Sequence, residues 1–165
     1  MRLPICEADA ANGFLCAACQ AKFDKGELAQ ADVDVSNALY AQRGPLALDH
    51  VSVARVFDCG KVIVIVTETE AGMLIGRHGK VAATLAEKLG KPVKIIHRTG
   101  DLRNMVEELI LPVRVLGINE VFTASGKEHR IRLWRSDADR LPLGVKSVEQ
   151  VASFLGGEKA VVKFE

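Results

Sequence analysis

The sequence predicts an α+β protein of two successive units, each with the element order α-β-β-α-α-β, preceded by a short cysteine-bearing segment. Three observations predict it. Short β-branched runs alternate with stretches of helical apolar spacing along most of the chain. The order of those elements starts again after Gly100. Three of the four cysteines fall within the first 19 residues, in a stretch too small and polar to fold without a staple.

At 165 residues the chain has room for two small domains and an appendage. A hydrophobic share of 48% belongs to a folded protein rather than a disordered one. No apolar run approaches the roughly 18–20 residues that a membrane helix needs. Pro4, Cys6, Glu7 and Asp9 interrupt any stretch of signal-peptide character. A cytoplasmic protein with no membrane partner is therefore expected, and in that setting cysteines point to metal ligation or burial rather than disulfides.

Residues 1–26, which carry Cys6 and the pair Cys16-x2-Cys19 and are punctuated by Gly13 and Gly26, read as a zinc-knuckle-like segment, residues 28–99 as the first domain and residues 100–165 as the second. In the first domain, helical spacing begins after Asp32, a candidate N-cap, and stops at Gly44-Pro45. Val51 to Phe57 and Lys61 to Thr67 are strands joined by a turn at Asp58-Cys59-Gly60. A short helix from Glu70 to Ile75 leads into the loop Gly76-Arg77-His78-Gly79. A second helix follows, with Val81, Leu85 and Leu89 on one face, a glycine cap at Gly90, and a strand from Pro92 to His97.

The second domain repeats the order. Asp101 caps a helix carrying Leu102, Met105, Val106 and Leu109. Val113 to Phe122 and His129 to Trp134 form a hairpin around Ser125-Gly126. Ser136 to Arg140 is a helical turn, Leu141-Pro142-Leu143-Gly144 a loop, Val145 to Leu155 a helix and Lys159 to Phe164 a strand. From the loop onward the two halves align, Gly79-Lys80-Val81 with Gly144-Val145-Lys146 and Leu89-Gly90 with Leu155-Gly156.

The net charge of +1 hides a local excess. Between Arg77 and Arg98 stand Arg77, Lys80, Lys88, Lys91, Lys94 and Arg98 against the single acid Glu87. Such a concentration suits a phosphate backbone or a solvated charged face. The loop Gly76–Gly79 lies inside it. Two glycines three apart permit a tight turn and leave no Cβ to hold an incoming backbone away. The next helix directs free N–H groups and its positive dipole end at the loop. Arg77 and Lys80 add charge, and His78 can donate a hydrogen bond. That chemistry favours the phosphates of a single strand.

The stretch Met73-Leu74-Ile75-Gly76-Arg77-His78-Gly79-Lys80-Val81, in this element order, resembles a type II KH domain. Residues 28–165 together resemble the tandem-KH architecture of archaeal NusA-like transcription factors. The resemblance implies single-stranded RNA as ligand and RNA polymerase as partner, in transcription elongation or termination. It implies that Gly76, Arg77, His78 and Gly79, with Lys80 beside them, clamp the RNA backbone. Ile75 would floor the groove, with Lys94 and Ile96 lining its opposite wall. In this reading, replacing Gly76 and Gly79 with aspartate abolishes binding and leaves the fold intact. The second copy departs from the pattern, because Leu141 replaces the first glycine and Pro142 has no N–H to offer. Its part is packing, or an extension of the RNA surface through Arg130, Arg132 and Arg135.

Cys16-Ala17-Ala18-Cys19 is a CxxC, a spacing that lets two thiolates reach one zinc ion. Cys6-x2-Asp9 mirrors it, so Asp9 is the natural fourth ligand in a set of Cys6, Asp9, Cys16 and Cys19. Cys59 and Glu7 are alternative fourth ligands, and a redox pair, a metal-free relic or apolar filler are alternative readings of the cysteines. The knuckle resembles two CxxC pairs in which one cysteine has become aspartate. No nucleophile elbow, Walker loop or dinucleotide fingerprint appears, so no enzyme is expected. A ribosome-associated KH protein and a protein–protein adaptor remain as alternatives to the transcription factor.

Overall fold

The computed structural model describes residues 1–165. The protein is α+β, with seven α-helices and two three-stranded sheets. It divides into two compact units, Met1–Arg98 and Thr99–Glu165.

The first unit opens with α1 (Glu7–Asn12), α2 (Ala17–Asp24) and α3 (Gln30–Gln42). A sheet of β1 (Val53–Asp58), β2 (Ile63–Thr67) and β3 (Val93–His97) follows, with α4 (Ala71–Ile75) and α5 (Lys80–Leu89) between β2 and β3. β2 lies in the middle, antiparallel to β1 and parallel to β3. Its apolar run is continuous because it is buried on both faces, with Val64, Ile65 and Val66 fully enclosed. Ile63, Ile65 and Ile95 form a core with Val35 and Leu39 of α3, Leu74 of α4, and Val81 and Leu85 of α5. Each such side chain contributes about 1.5–3 kcal/mol through burial. Gly90, at φ +73°, closes α5 in the left-handed conformation.

Two expectations are corrected here. Asp32 does not cap α3; it lies in the first turn, and Ala29 is the N-cap. Its fully buried carboxylate accepts hydrogen bonds from the N–H of Ala29 and of Val56, each at 2.8 Å, and lies 3.4 Å from Arg55 Nε. The contact with Val56 falls just after a register irregularity between Val53 and Arg55, so Asp32 ties the helix to the bulged strand. Residues 1–26 are also not set apart. Ile5, Ala10 and Cys19 share a small core with Leu28 and Val33, while Arg2 bridges to Ser52 beside β1. The segment leans on α3 because its own apolar residues are too few to enclose one another.

The second unit contains α6 (Leu102–Ile110), β4 (Gly117–Thr123), β5 (Gly126–Leu133), α7 (Val145–Gly156) and β6 (Lys159–Phe164). Asp101 caps α6 as expected, accepting from the N–H of Asn104 at 3.1 Å. The hairpin begins four residues later than the sequence suggests, because Val113 N–H is taken by Ile110 C=O in a turn after α6. β5 is central, antiparallel to β4 and parallel to β6, so this sheet repeats the order and sense of the first. Ile131, Leu133, Val148, Val151, Ala152 and Leu155 are buried. β6 is an edge strand, and α7 covers it: Ser153 Oγ accepts from Ala160 N–H at 2.9 Å and Glu149 Oε2 from Val162 N–H at 2.8 Å. The two α-β-β-(turn)-α-β arrangements are compatible with KH-like folds. No helix is long and apolar enough to cross a membrane.

Candidate functional site

Cys6 is the N-cap of α1 and Cys16 that of α2. Asp9 and Cys19 each follow three residues later, one turn into their helices, so both pairs project from a helix start. The four ligand atoms lie within 4.8 Å of one another. A tetrahedral ion with metal–sulfur bonds of about 2.3 Å holds its ligands at similar separations. Three thiols and a carboxylate thus form a group that can hold a metal ion. Asp9 is buried, and its Oδ2 accepts from Cys16 N–H at 2.8 Å, which links the two helix starts and orients the carboxylate. That bond, followed by contacts with the neighbouring thiols, holds the Asp9 carboxyl below the usual range. Burial pushes the Cys19 thiol up to about 12. Cys6 and Cys16 remain exposed, so an ion has a route in. Glu7 and Cys59 are outside the cluster; Cys59 sits on the β1–β2 turn with Sγ 3.8 Å from Phe57 C=O.

The second site is the loop between α4 and α5. Gly76, His78 and Gly79 adopt positive φ values of +77°, +56° and +72°. Arg77 to Gly79 form a single 3₁₀ turn, closed by the bond from Gly79 N–H to Gly76 C=O at 3.1 Å. Only Gly76 needs its missing Cβ for space, since that atom would meet Val81 Cγ2 at 2.5 Å; at Gly79 nothing lies within 4 Å. Aspartate at Gly76 would therefore press on Val81 at the start of α5, which is at odds with the expectation that the paired glycine replacement leaves the fold intact.

Arg77, His78 and Lys80 are exposed at this turn. Leu74 is buried beneath it, whereas Met73 and Ile75 present apolar surface to solvent at 38% and 41% exposure. Among the other cations of the stretch, Lys91 pairs with Asp58 at 2.8 Å and Arg98 with Glu68 at 3.4 Å. The Lys91 bond lowers the Asp58 carboxyl. The exposed charge is thus concentrated at the loop more than the sequence count suggests. Lys94 is half-buried on the sheet face opposite to that of Ile95. Ile96 shares the face of Lys94 but is fully buried, so it offers no wall to a ligand, in correction of the expectation.

The corresponding loop of the second unit, residues 141–144, has no residue with positive φ. Leu143 is buried and plugs it. Arg130, Arg132 and Arg135 do not form one row: the first two lie on β5, and Arg135 begins the 3₁₀ turn after it.

No protein-family model matches the chain, and neither does any curated protein. Among solved structures it is similar to the crystal structure of APE1850, at 24% identity and a TM-score of 0.54, over 77% of this chain and 96% of that one. At that identity the likeness is one of fold.

Proposed function

We propose that the chain is an RNA-binding protein of two tandem type II KH-like domains, in which the loop Gly76–Gly79 grips the backbone of single-stranded RNA. The observation that carries this reading is the left-handed turn at Gly76, His78 and Gly79, with Arg77, His78 and Lys80 exposed beside the apolar surface of Met73 and Ile75. Cations and helix N–H groups suit phosphates, and the adjoining apolar strip suits base faces. Lys94, half-buried on β3, is an accessory contact in this reading. The second loop, with Leu143 buried and no residue of positive φ, offers no such grip. No step of this reading requires a catalytic group.

In the proposal, Cys6, Asp9, Cys16 and Cys19 hold a structural Zn2+, because a closed set of three thiolates and one carboxylate matches the ligand preference of that ion. By its resemblance the protein acts in the cytoplasm as a NusA-like elongation or termination factor with RNA polymerase. Co-purification with polymerase supports that role, and co-sedimentation with ribosomal small subunits instead would replace it. The RNA grip itself is tested by aspartate at Arg77 and His78, both of which are exposed.

A further inference from the structure

We infer that the outer face of the second sheet is a separate surface for single-stranded RNA, with Trp134 as a stacking platform and Arg130, Arg132 and Lys163 as its phosphate contacts. The inference rests on RNA being the ligand of this chain, but not on the loop at Gly76.

Register places these residues together. Asn119 pairs with Arg130 and Gly117 with Arg132 across β4–β5, while Arg132 pairs with Lys163 across β5–β6. Their side chains therefore share one face, and the buried Ile131 and Leu133 take the other. The ladder continues past β5, since Glu165 N–H bonds Leu133 C=O and Arg135 N–H bonds Glu165 C=O, each at 2.9 Å. Trp134 is thus the neighbour of Glu165, two residues beyond Arg132 on the same face, and it is 52% exposed.

The face is a shallow depression of about 300 Å³, lined by Asn119, Val121, Arg130, Arg132, Lys163 and Glu165. Arg132 lies flat across Gly117, where a Cβ would come 2.6 Å from its Nη2, and Glu165 holds its Nη1 at 3.1 Å. The guanidinium is thereby fixed in place before any ligand arrives. The Nε atoms of both Arg130 and Arg132 are buried and meet no protein acceptor. Lys159 joins the three cations, against the carboxylates of Glu128 and Glu165, so the face is net positive.

Single-stranded RNA fits this chemistry better than an acidic peptide. Alternate residues on a strand are about 6.8 Å apart, so Arg130 and Arg132 can serve successive phosphates of a stretched strand. An exposed indole beside cations is a base-stacking arrangement.

Trp134 is the only tryptophan in the chain, so its emission reports this face. The test titrates the full chain with a 20-nucleotide oligouridylate (about 20 nucleotides being within single-strand site sizes for two surfaces), following Trp134 emission and RNA anisotropy together. The expected result is quenching in the wild type that is lost in Arg130→Gln/Lys163→Gln. In that variant affinity falls about fivefold to tenfold, and the salt slope falls by about 1.4, or roughly 0.7 for each phosphate contact removed. Anisotropy that reports binding without any change in Trp134 emission overturns the inference and leaves the loop reading standing. Quenching that persists in Arg77→Asp/His78→Asp with unweakened affinity sinks the loop reading and leaves this one. No response in either signal overturns both, and quenching by polyglutamate but not by RNA assigns the face to an acidic protein instead.

Discussion

A Cβ on Gly76 would lie 2.5 Å from Cγ2 of Val81. The first glycine of the loop is therefore required by packing as well as by its φ of +77°, while Gly79, with a similar φ, borders open space. The loop combines a structural glycine with a merely conformational one. A test of RNA binding that replaces Gly76 cannot tell a lost ligand contact from a damaged fold.

The two glycines should accordingly separate in stability. Gly79→Ala pays only for a left-handed alanine, about 1–2 kcal/mol. Gly76→Ala adds displacement of Val81 and, with ψ at 173°, a backbone region essentially closed to alanine, and should cost at least about 1 kcal/mol more. Urea unfolding of both variants measures this, and equal losses would contradict the close approach of Val81.

The cysteine cluster predicts about one tightly held Zn2+ per chain, in keeping with a four-ligand structural site. Asp9→Asn keeps an oxygen for Cys16 N–H but removes the charge of a direct ligand, and should weaken the metal by at least the roughly 10–100-fold typical of losing an outer-shell partner. Cys59→Ser should leave affinity unchanged, because Cys59 lies outside the cluster. Competition with a chromophoric chelator measures both. Weakening by Cys59→Ser together with indifference to Asp9→Asn would overturn Asp9 as the fourth ligand in favour of Cys59.

Asp32 yields a stability prediction with a sign. Asp32→Ala leaves Val56 N–H without its buried acceptor and should destabilise the first unit by about 3 kcal/mol. Burial raises the Asp32 carboxyl above its ordinary 3.8, against the opposing pull of the N–H groups of Ala29 and Val56 and of Arg55. A raised carboxyl binds its proton more tightly in the folded state. Its contribution is complete below 3.8 and is lost as pH rises through the folded value. Wild type should therefore compare better with Asp32→Asn at acid pH than at neutral pH. Urea midpoints of the two proteins at both pH values check it, and a wild type that gains on Asp32→Asn as pH rises would reverse the sign.

Most of the architecture was legible because each element announces itself locally. The β-branched run at Val62 to Val66, the i, i+4, i+8 spacing of Val81, Leu85 and Leu89, and Asp101 three residues before Asn104 each depend on near neighbours in the chain. The CxxD and CxxC pairs were legible for the same reason, since each is one helical turn. What escaped depends on contacts between distant residues. Asp32 reads as an N-cap until Val56, 24 residues away, takes its carboxylate. Ile96 reads as a groove wall until the burial of the second sheet face is known. Ser153 and Glu149 read as solvated helix residues, yet they close the edge of β6.

Binding of the full chain to a short single-stranded RNA pool, at two salt concentrations, for wild type and for Arg77→Asp/His78→Asp, is the sharpest probe of the loop. Both positions are exposed, and aspartate tolerates the left-handed backbone of residue 78 better than most side chains, so the fold should persist. Wild-type binding should weaken as salt rises and fall at least about tenfold in the variant, as expected when phosphate contacts are replaced by like charges. Undiminished binding by a folded variant would contradict the assignment of the loop as the RNA grip.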